Sequence, residues 1–307
     1  MRAARDGHHG CMQSNPDVST LESAFTSAVA AIAPSVVRVD RRRGGGSGLV
    51  WSDDLVITSS FHTPDAPTIG VADGDDTAPR AAKVIGRDPG TDVALLQVEG
   101  GGLTAAARRD LDGVATGQLT FAVARPGRAI RASLRAIGVL GPTIRTPSGG
   151  RLDRYVETDR ALARGFAGGP LIDLAGRVLG MNTRTLVPGA DLAVPTATLT
   201  RVVDALRTHG RVARGYLGLA VQAAAVPAAL SDQRGRGALV VAVDDGGPAA
   251  AAGLMVGDVV IAIDGAAILG PDELRIALFD RPGATVAIDL IRGGERRAIT
   301  AAVGIHP

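Results

Sequence analysis

Apolar positions along this chain alternate in short runs more often than they recur at helical spacing. Ser19 and Glu22 are spaced as a capping box, with Leu21, Phe25, Val29 and Ile32 following at helical intervals, which predicts a short amphipathic helix ending before Pro34. From Ser35 to about Val194 the pattern changes to brief β-rich runs divided by Gly, Pro and Asp: Val36 to Val39, Leu55 to Thr58, Val93 to Val98, Leu119 to Val123, Leu134 to Val139, Tyr155 to Thr158 and Val178 to Asn182. Many short strands at this spacing predict β-barrels and not βαβ units. Leu199, Val202, Val203 and Leu206 then occupy one helical face, and Gly210 is placed to end that helix. Beyond it, runs at Tyr216 to Val221, Leu239 to Val243, Val259 to Ile263 and Val286 to Ile291 bracket a helix near Asp272 to Phe279, with Pro271 suited to its first turn.

This organisation suggests a tail over 1–18 expected to be disordered, a β-rich unit over 19–208 and a small domain over 212–307, which suits a chain of 307 residues. Hydrophobic residues make up 46% of the chain and aromatics 3%, so the cores must be built from Val, Leu, Ile and Ala. With 33 basic against 31 acidic residues, the net charge of +2 provides no strong field toward nucleic acid or an anionic membrane, and no nucleic-acid partner is expected. Cys11 is the single cysteine, which excludes an internal disulfide framework. His8, His9 and Cys11 cluster without a fourth ligand, so neither a metal nor another cofactor is expected. The first eighteen residues hold no apolar run suited to a signal peptide or a span, so the chain as written reads as soluble, and cytoplasmic if it starts there.

The chemistry-bearing motifs come in a recognisable order. They are Ala33-Pro34-Ser35-Val36-Val37, Gly46-Ser47-Gly48-Leu49, Asp88-Pro89-Gly90-Thr91-Asp92-Val93, Gly165-Phe166-Ala167-Gly168-Gly169-Pro170 and Gly176-Arg177-Val178-Leu179-Gly180-Met181-Asn182-Thr183. In this order they resemble the HtrA family of trypsin-like serine proteases, whose nucleophile loop has the core G-N-S-G-G-P. The resemblance implies a mainly β fold: a chymotrypsin-like double β-barrel followed by a PDZ domain, itself a β-rich α+β unit. It also implies a cell-envelope or exported protein, and trimers or hetero-oligomers with an active relative.

In such proteases a serine hydroxyl attacks the peptide carbonyl, a histidine takes its proton and a carboxylate orients the imidazole. The resemblance places Asp92 at the carboxylate position, Phe61 at the base position and Ala167 at the nucleophile position, with His62 one residue late. In an extended segment that shift sends the His62 side chain to the opposite face unless a bulge intervenes. The backbone amides of Gly165 and Ala167 are the expected oxyanion hole. A methyl group can neither attack nor give up a proton, so the expectation is a non-enzyme, with any rate limited to the residual contributions of binding and the oxyanion hole.

Gly215-Tyr216-Leu217-Gly218-Leu219 resembles the carboxylate-binding loop of HtrA-type PDZ domains, and the segment from Gly247 to Gly265 resembles their central signature. Backbone amides near Tyr216, Leu217, Gly218 and Leu219 would receive a terminal carboxylate, while the ligand extends as an added strand. Leu217, Leu219, Leu274 and Leu278 are the expected pocket residues for an apolar terminus. The functional expectation is therefore a pseudoprotease that binds C-terminal or unfolded polypeptide segments as scaffold, regulator or chaperone. Its alternatives are a weak or conditional serine-type endopeptidase and a holdase using the barrel cleft.

Overall fold

The computed structural model describes residues 16–41, 44–70, 79–230 and 235–305, so His8, His9 and Cys11 lie outside the described residues. The chain divides into two compact units between Gly210 and Arg211.

The first helix, α1 (Pro16–Ile32), begins earlier than the capping-box spacing predicts. A proline is tolerated at a helix start because its missing N–H would be unpaired there anyway, and the helix therefore extends through Ser19 instead of starting after it. Ala28 and Ile32 are buried, and the Phe25 ring meets Phe121 edge-on at 5.4 Å between centroids.

Six strands follow and close into a barrel: β1 (Val36–Arg41), β2 (Gly44–Val50), β3 (Leu55–Ser59), β4 (Thr68–Gly70), β5 (Arg80–Asp88) and β6 (Val93–Val98), in the order β1-β2-β3-β6-β5-β4. Val37, Val39, Val50, Val56, Ile69 and Leu96 fill it, the aliphatic core that a chain so poor in aromatics must use.

A second barrel contains β7 (Leu119–Ala124) and β8 (Arg131–Gly141), then, after a small hairpin of β9 (Ile144–Arg145) and β10 (Arg151–Leu152), β11 (Tyr155–Thr158), β12 (Pro170–Ile172), β13 (Val178–Val187) and β14 (Ala190–Pro195). It closes in the order β11-β14-β13-β12-β7-β8. Helix α2 (Thr196–His209) buries Leu199, Val202, Val203 and Leu206 against strands of both barrels, and Gly210 ends it in the left-handed region at φ 70°.

The second unit is built on the sheet β16-β17-β18-β20-β21. Its elements are β15 (Gly215–Tyr216), β16 (Leu219–Ala225), β17 (Arg236–Val243), the single turn α3 (Pro248–Ala251), β18 (Val259–Ile263), β19 (Ala266–Ala267), α4 (Pro271–Phe279), β20 (Thr285–Arg292), β21 (Glu295–Ala302) and β22 (Gly304–Ile305). The run from Tyr216 to Val221 is not one strand as the pattern predicts. It breaks at Leu217 and Gly218, where Gly218 adopts φ 74° and turns the chain.

Asp258 ties this unit together. Its buried carboxylate accepts hydrogen bonds from Arg292 Nε and Nη2, both at 2.7 Å, and from the Met255 amide at 2.9 Å. Burial pushes the carboxyl up, but the Arg292 hydrogen bonds, the Met255 amide and the nearby cationic charge outweigh it and hold it below the usual carboxylate range. A carboxylate lowered in the fold stabilises it at every pH above its unfolded-chain value of about 4, and that stability is lost as pH falls through the folded value. Asp258→Asn is therefore expected to lower this unit's unfolding midpoint at neutral pH and to flatten its acid dependence below about pH 4, checked by denaturant unfolding across pH.

No described helix is long and apolar enough to cross a membrane.

Candidate functional site

Asp92 sits at the turn before β6 with φ 57°, a left-handed conformation that Asp tolerates, and is 2% exposed. Its carboxylate collects donors from three directions. The Ser59 hydroxyl lies 2.9 Å from both oxygens, the Phe61 amide donates to Oδ1 at 2.9 Å, and the Thr183 hydroxyl on β13 donates to Oδ2 at 2.6 Å. These three donors, the Ser59 hydroxyl shared between both oxygens, take up most of the roughly four acceptor sites of a carboxylate, so an added imidazole N–H would compete with the Ser59 hydroxyl.

Residues Ser60–His62 form one turn of 3-10 helix, so the strand-flip argument made for His62 does not apply. A three-residue turn distributes side chains around an axis and not between two faces. Only the backbone of His62 is described. Arg87 pins this turn from β5, donating from Nη1 to the Ser60 carbonyl at 3.1 Å and from Nη2 to the Pro64 carbonyl at 2.8 Å. The Phe61 ring points outward and is 74% exposed, so it is the amide and not the side chain at that position that meets Asp92.

The loop before β12 is held just as firmly. Phe166 is buried among Leu162, Leu171 and Leu179 of the second barrel core, and Ala167 is 4% exposed. Gly165 and Gly168 adopt φ 92° and φ 89°. The Gly168 amide donates to the Asn182 carbonyl at 2.9 Å, while the Asn182 side-chain amide donates to the Gly169 and Pro170 carbonyls at 3.1 and 2.8 Å. Ser47 on β2 donates to the Gly165 carbonyl at 2.7 Å and accepts the Arg125 amide at 2.8 Å. Arg125 is itself buried, its guanidinium donating to the carbonyls of Val36, Arg128 and Ala33.

The structure thus gathers Asp92, the turn carrying Phe61 and, through Thr183, a strand of the second barrel around one buried carboxylate. Ser59, Thr183, Ser47, Asn182 and Arg125 were not singled out by sequence reasoning. Ser47 lies within the quoted Gly46 to Leu49 motif, and Asn182 and Thr183 end another, so the signal was present without its meaning.

In the second unit, β16 ends the sheet and pairs only with β17 among the described strands. Helix α4 lies beside it, its end near Leu278 against Gly215 and its start at Gly270 near Ala223. Leu217, Leu274 and Leu278 are 2%, 4% and 5% exposed and belong to the unit's core, while Leu219 packs against that core partly buried. Tyr216 on β15 pairs with Gly304 on β22.

Residues 46–181 match the trypsin-like peptidase domain and residues 215–303 match the PDZ domain. These two matches, on two barrels and an edge-strand sheet, define a peptidase-type fold joined to a peptide-recognition fold. The chain is 32% identical over 271 residues, 85% of its length, to a probable periplasmic serine endoprotease DegP-like of Pseudomonas fulva (strain 12-X). It is also 32% identical over 278 residues, 87% of its length, to one so named from Halomonas elongata. It spans 56% and 58% of the length of those relatives. Among solved structures, HtrA-type protease AlgW with decapeptide superposes with TM-score 0.70 at 26% identity, over 92% of this chain and 99% of that one. The serine endoprotease from Yersinia pestis superposes with TM-score 0.70 at 25% identity, over 92% of this chain and 98% of that one. The chain thus joins a trypsin-like peptidase domain to a C-terminal PDZ domain and is similar along most of its length to DegP-like and HtrA-type serine proteases.

The expectation of a non-enzyme is overturned by these comparisons. Relatives aligned along most of the chain are named serine endoproteases, which points to a protease.

Proposed function

We propose that this chain binds polypeptides and acts on them as a weak or conditional serine-type endopeptidase of the cell envelope. The observation that carries the reading is the likeness of both units together to HtrA-type proteases, among them a structure with a bound decapeptide and relatives named periplasmic. The edge of β16 beside α4 receives the end of an extended peptide, and amides around Leu217 to Leu219 meet its carboxylate. The barrel cleft takes the chain to be cut, with the amides of Gly165 and Ala167 facing the carbonyl oxygen. Because residue 167 contributes only a methyl group, turnover in the resting form is limited to what binding and amide donors supply, on the order of 10³ to 10⁴ over water. Self-association belongs to the same reading, as does a hetero-oligomer with an active relative that would supply the missing groups.

A second reading, a catalytically degenerate member that holds polypeptides without cutting, is favoured by the Ala167 methyl and by the three donors that already engage the Asp92 carboxylate. Incubation of the purified chain with an unfolded protein, read by mass spectrometry over hours, separates the two. Slow fragments whose rate scales with protein concentration and survives repurification support the endopeptidase. Their absence, with and without added C-terminal peptide, leaves the binding protein.

A further inference from the structure

Two carboxylates stand at opposite ends of the β16 edge. At the loop end, Asp244 continues β17 past Val243, the partner of Leu219, and its amide donates to the Gly218 carbonyl at 2.9 Å. The Asp244 Oδ2 atom lies 3.1 Å from the point where a side chain on Gly218 would begin, and the residue is exposed. At the other end, Glu273 in the first turn of α4 brings Oε2 to 3.7 Å from the corresponding point on Gly270, which is itself 3.7 Å from the Ala223 methyl. Neighbouring charges are largely spoken for: Asp272 pairs with Arg275 and Asp264 with Arg281. Arg214 stacks over the Phe279 ring at 4.9 Å, at the end of the groove where a ligand's own carboxylate would arrive.

A peptide added antiparallel to β16 alternates its side chains. Its terminal side chain faces α4, and the penultimate one faces away, over the β16–β17 pair where Asp244 stands. From Leu219 to Ala223 the strand advances about 13 Å, so Glu273 meets a ligand residue about four positions upstream of the terminus. An acidic residue at either place would face a like charge, and a basic one would find a partner.

We infer that this groove selects cationic peptide ends, with an apolar terminal residue, Lys or Arg at the penultimate position and a second basic residue about four positions upstream, read by Asp244 and Glu273. The inference rests on the peptide-binding reading above, and its test separates the two.

Fluorescence anisotropy on the full chain compares labelled seven-residue peptides that share one apolar C-terminal residue and carry Lys, Ser or Glu at the penultimate position. The Lys peptide is expected to bind about two- to fivefold tighter than the Ser peptide and the Glu peptide weaker by a similar factor, as exposed charge pairs give. The spread should narrow at about 0.5 M salt. Asp244→Asn removes the ranking of the three peptides, and in a second series varied only four positions upstream of the terminus Glu273→Gln removes the preference for Lys. Equal affinity for all three peptides, or a preference that survives Asp244→Asn, overturns the charge selection while leaving the groove as a binding site. Failure of every peptide to bind, whatever its charge, overturns the peptide-binding reading itself.

Discussion

Cleavage of an unfolded substrate is expected to rise by about 10² to 10³ when Phe61→His and Ala167→Ser are combined, and by less than about tenfold with either alone. A serine without a base is as poor a nucleophile as water nearly is, and a base without a nucleophile has no proton to take, so the two gains are strongly non-additive. The scaffold favours the experiment. Residue 61 already donates its amide to Asp92 and exposes its side chain, so an imidazole can be accommodated without disturbing a core. The obstacle is Ser59, whose hydroxyl engages both Asp92 oxygens where the new N–H must bind. Adding Ser59→Ala to the pair is expected to raise the rate further or leave it unchanged. Initial rates on one fluorogenic unfolded protein measure the parent chain and its four variants, and an equal rate for the single and double variants would show that the loop does not hold residue 167 in attack geometry.

Gly168→Ala is expected to destabilise the first unit by at least about 3 kcal/mol, enough to reduce soluble yield. Two costs coincide at this position. The backbone at φ 89° is one that side chains rarely adopt, a strain of about 1 to 2 kcal/mol. A methyl there would also lie 2.3 Å from the Ser47 carbonyl oxygen, 2.6 Å from Thr58 Oγ1 and 2.9 Å from the Ser59 amide nitrogen, none of which can retreat without opening the first barrel. Gly113 isolates the first cost, since it has φ 75° with nothing within 4 Å of the added carbon. Gly113→Ala should therefore cost about 1 to 2 kcal/mol, and denaturant unfolding of the two variants side by side measures the difference. Equal losses would mean that the loop relaxes away from β2 and β3.

How much of this was legible in the sequence depended on side-chain content. Val93–Val98, Tyr155–Thr158 and Val259–Ile263 were readable because each is a compact apolar run bounded by turn residues. The strand Gly44–Val50 was not, for a run of glycines carries no hydrophobic period. It forms a strand because the space allows nothing larger: a methyl on Gly45 would lie 1.9 Å from the Pro126 carbonyl oxygen, and one on Gly48 would lie 2.8 Å from Val56. The strand Glu295–Ala302 was missed for the opposite reason, since its polar and small residues lie on a mostly exposed face. At the site, Asp92 was legible through its motif, whereas its Ser59 and Thr183 partners lie 33 and 91 residues away in sequence. Hydroxyls at such separations are brought together by barrel closure, which no local pattern encodes.

The Ser47 hydroxyl, carried by the first barrel, gives to one loop of the second and takes from another, and Arg125 reaches back across the same seam to the Val36 and Ala33 carbonyls. A joint of this kind lets the framework outlast its cargo. The exposed side chain of residue 61 can be exchanged without touching this joint, because the atoms that hold the two barrels together lie elsewhere. Chemistry at the rim can therefore be altered by substitution while the seam stays closed.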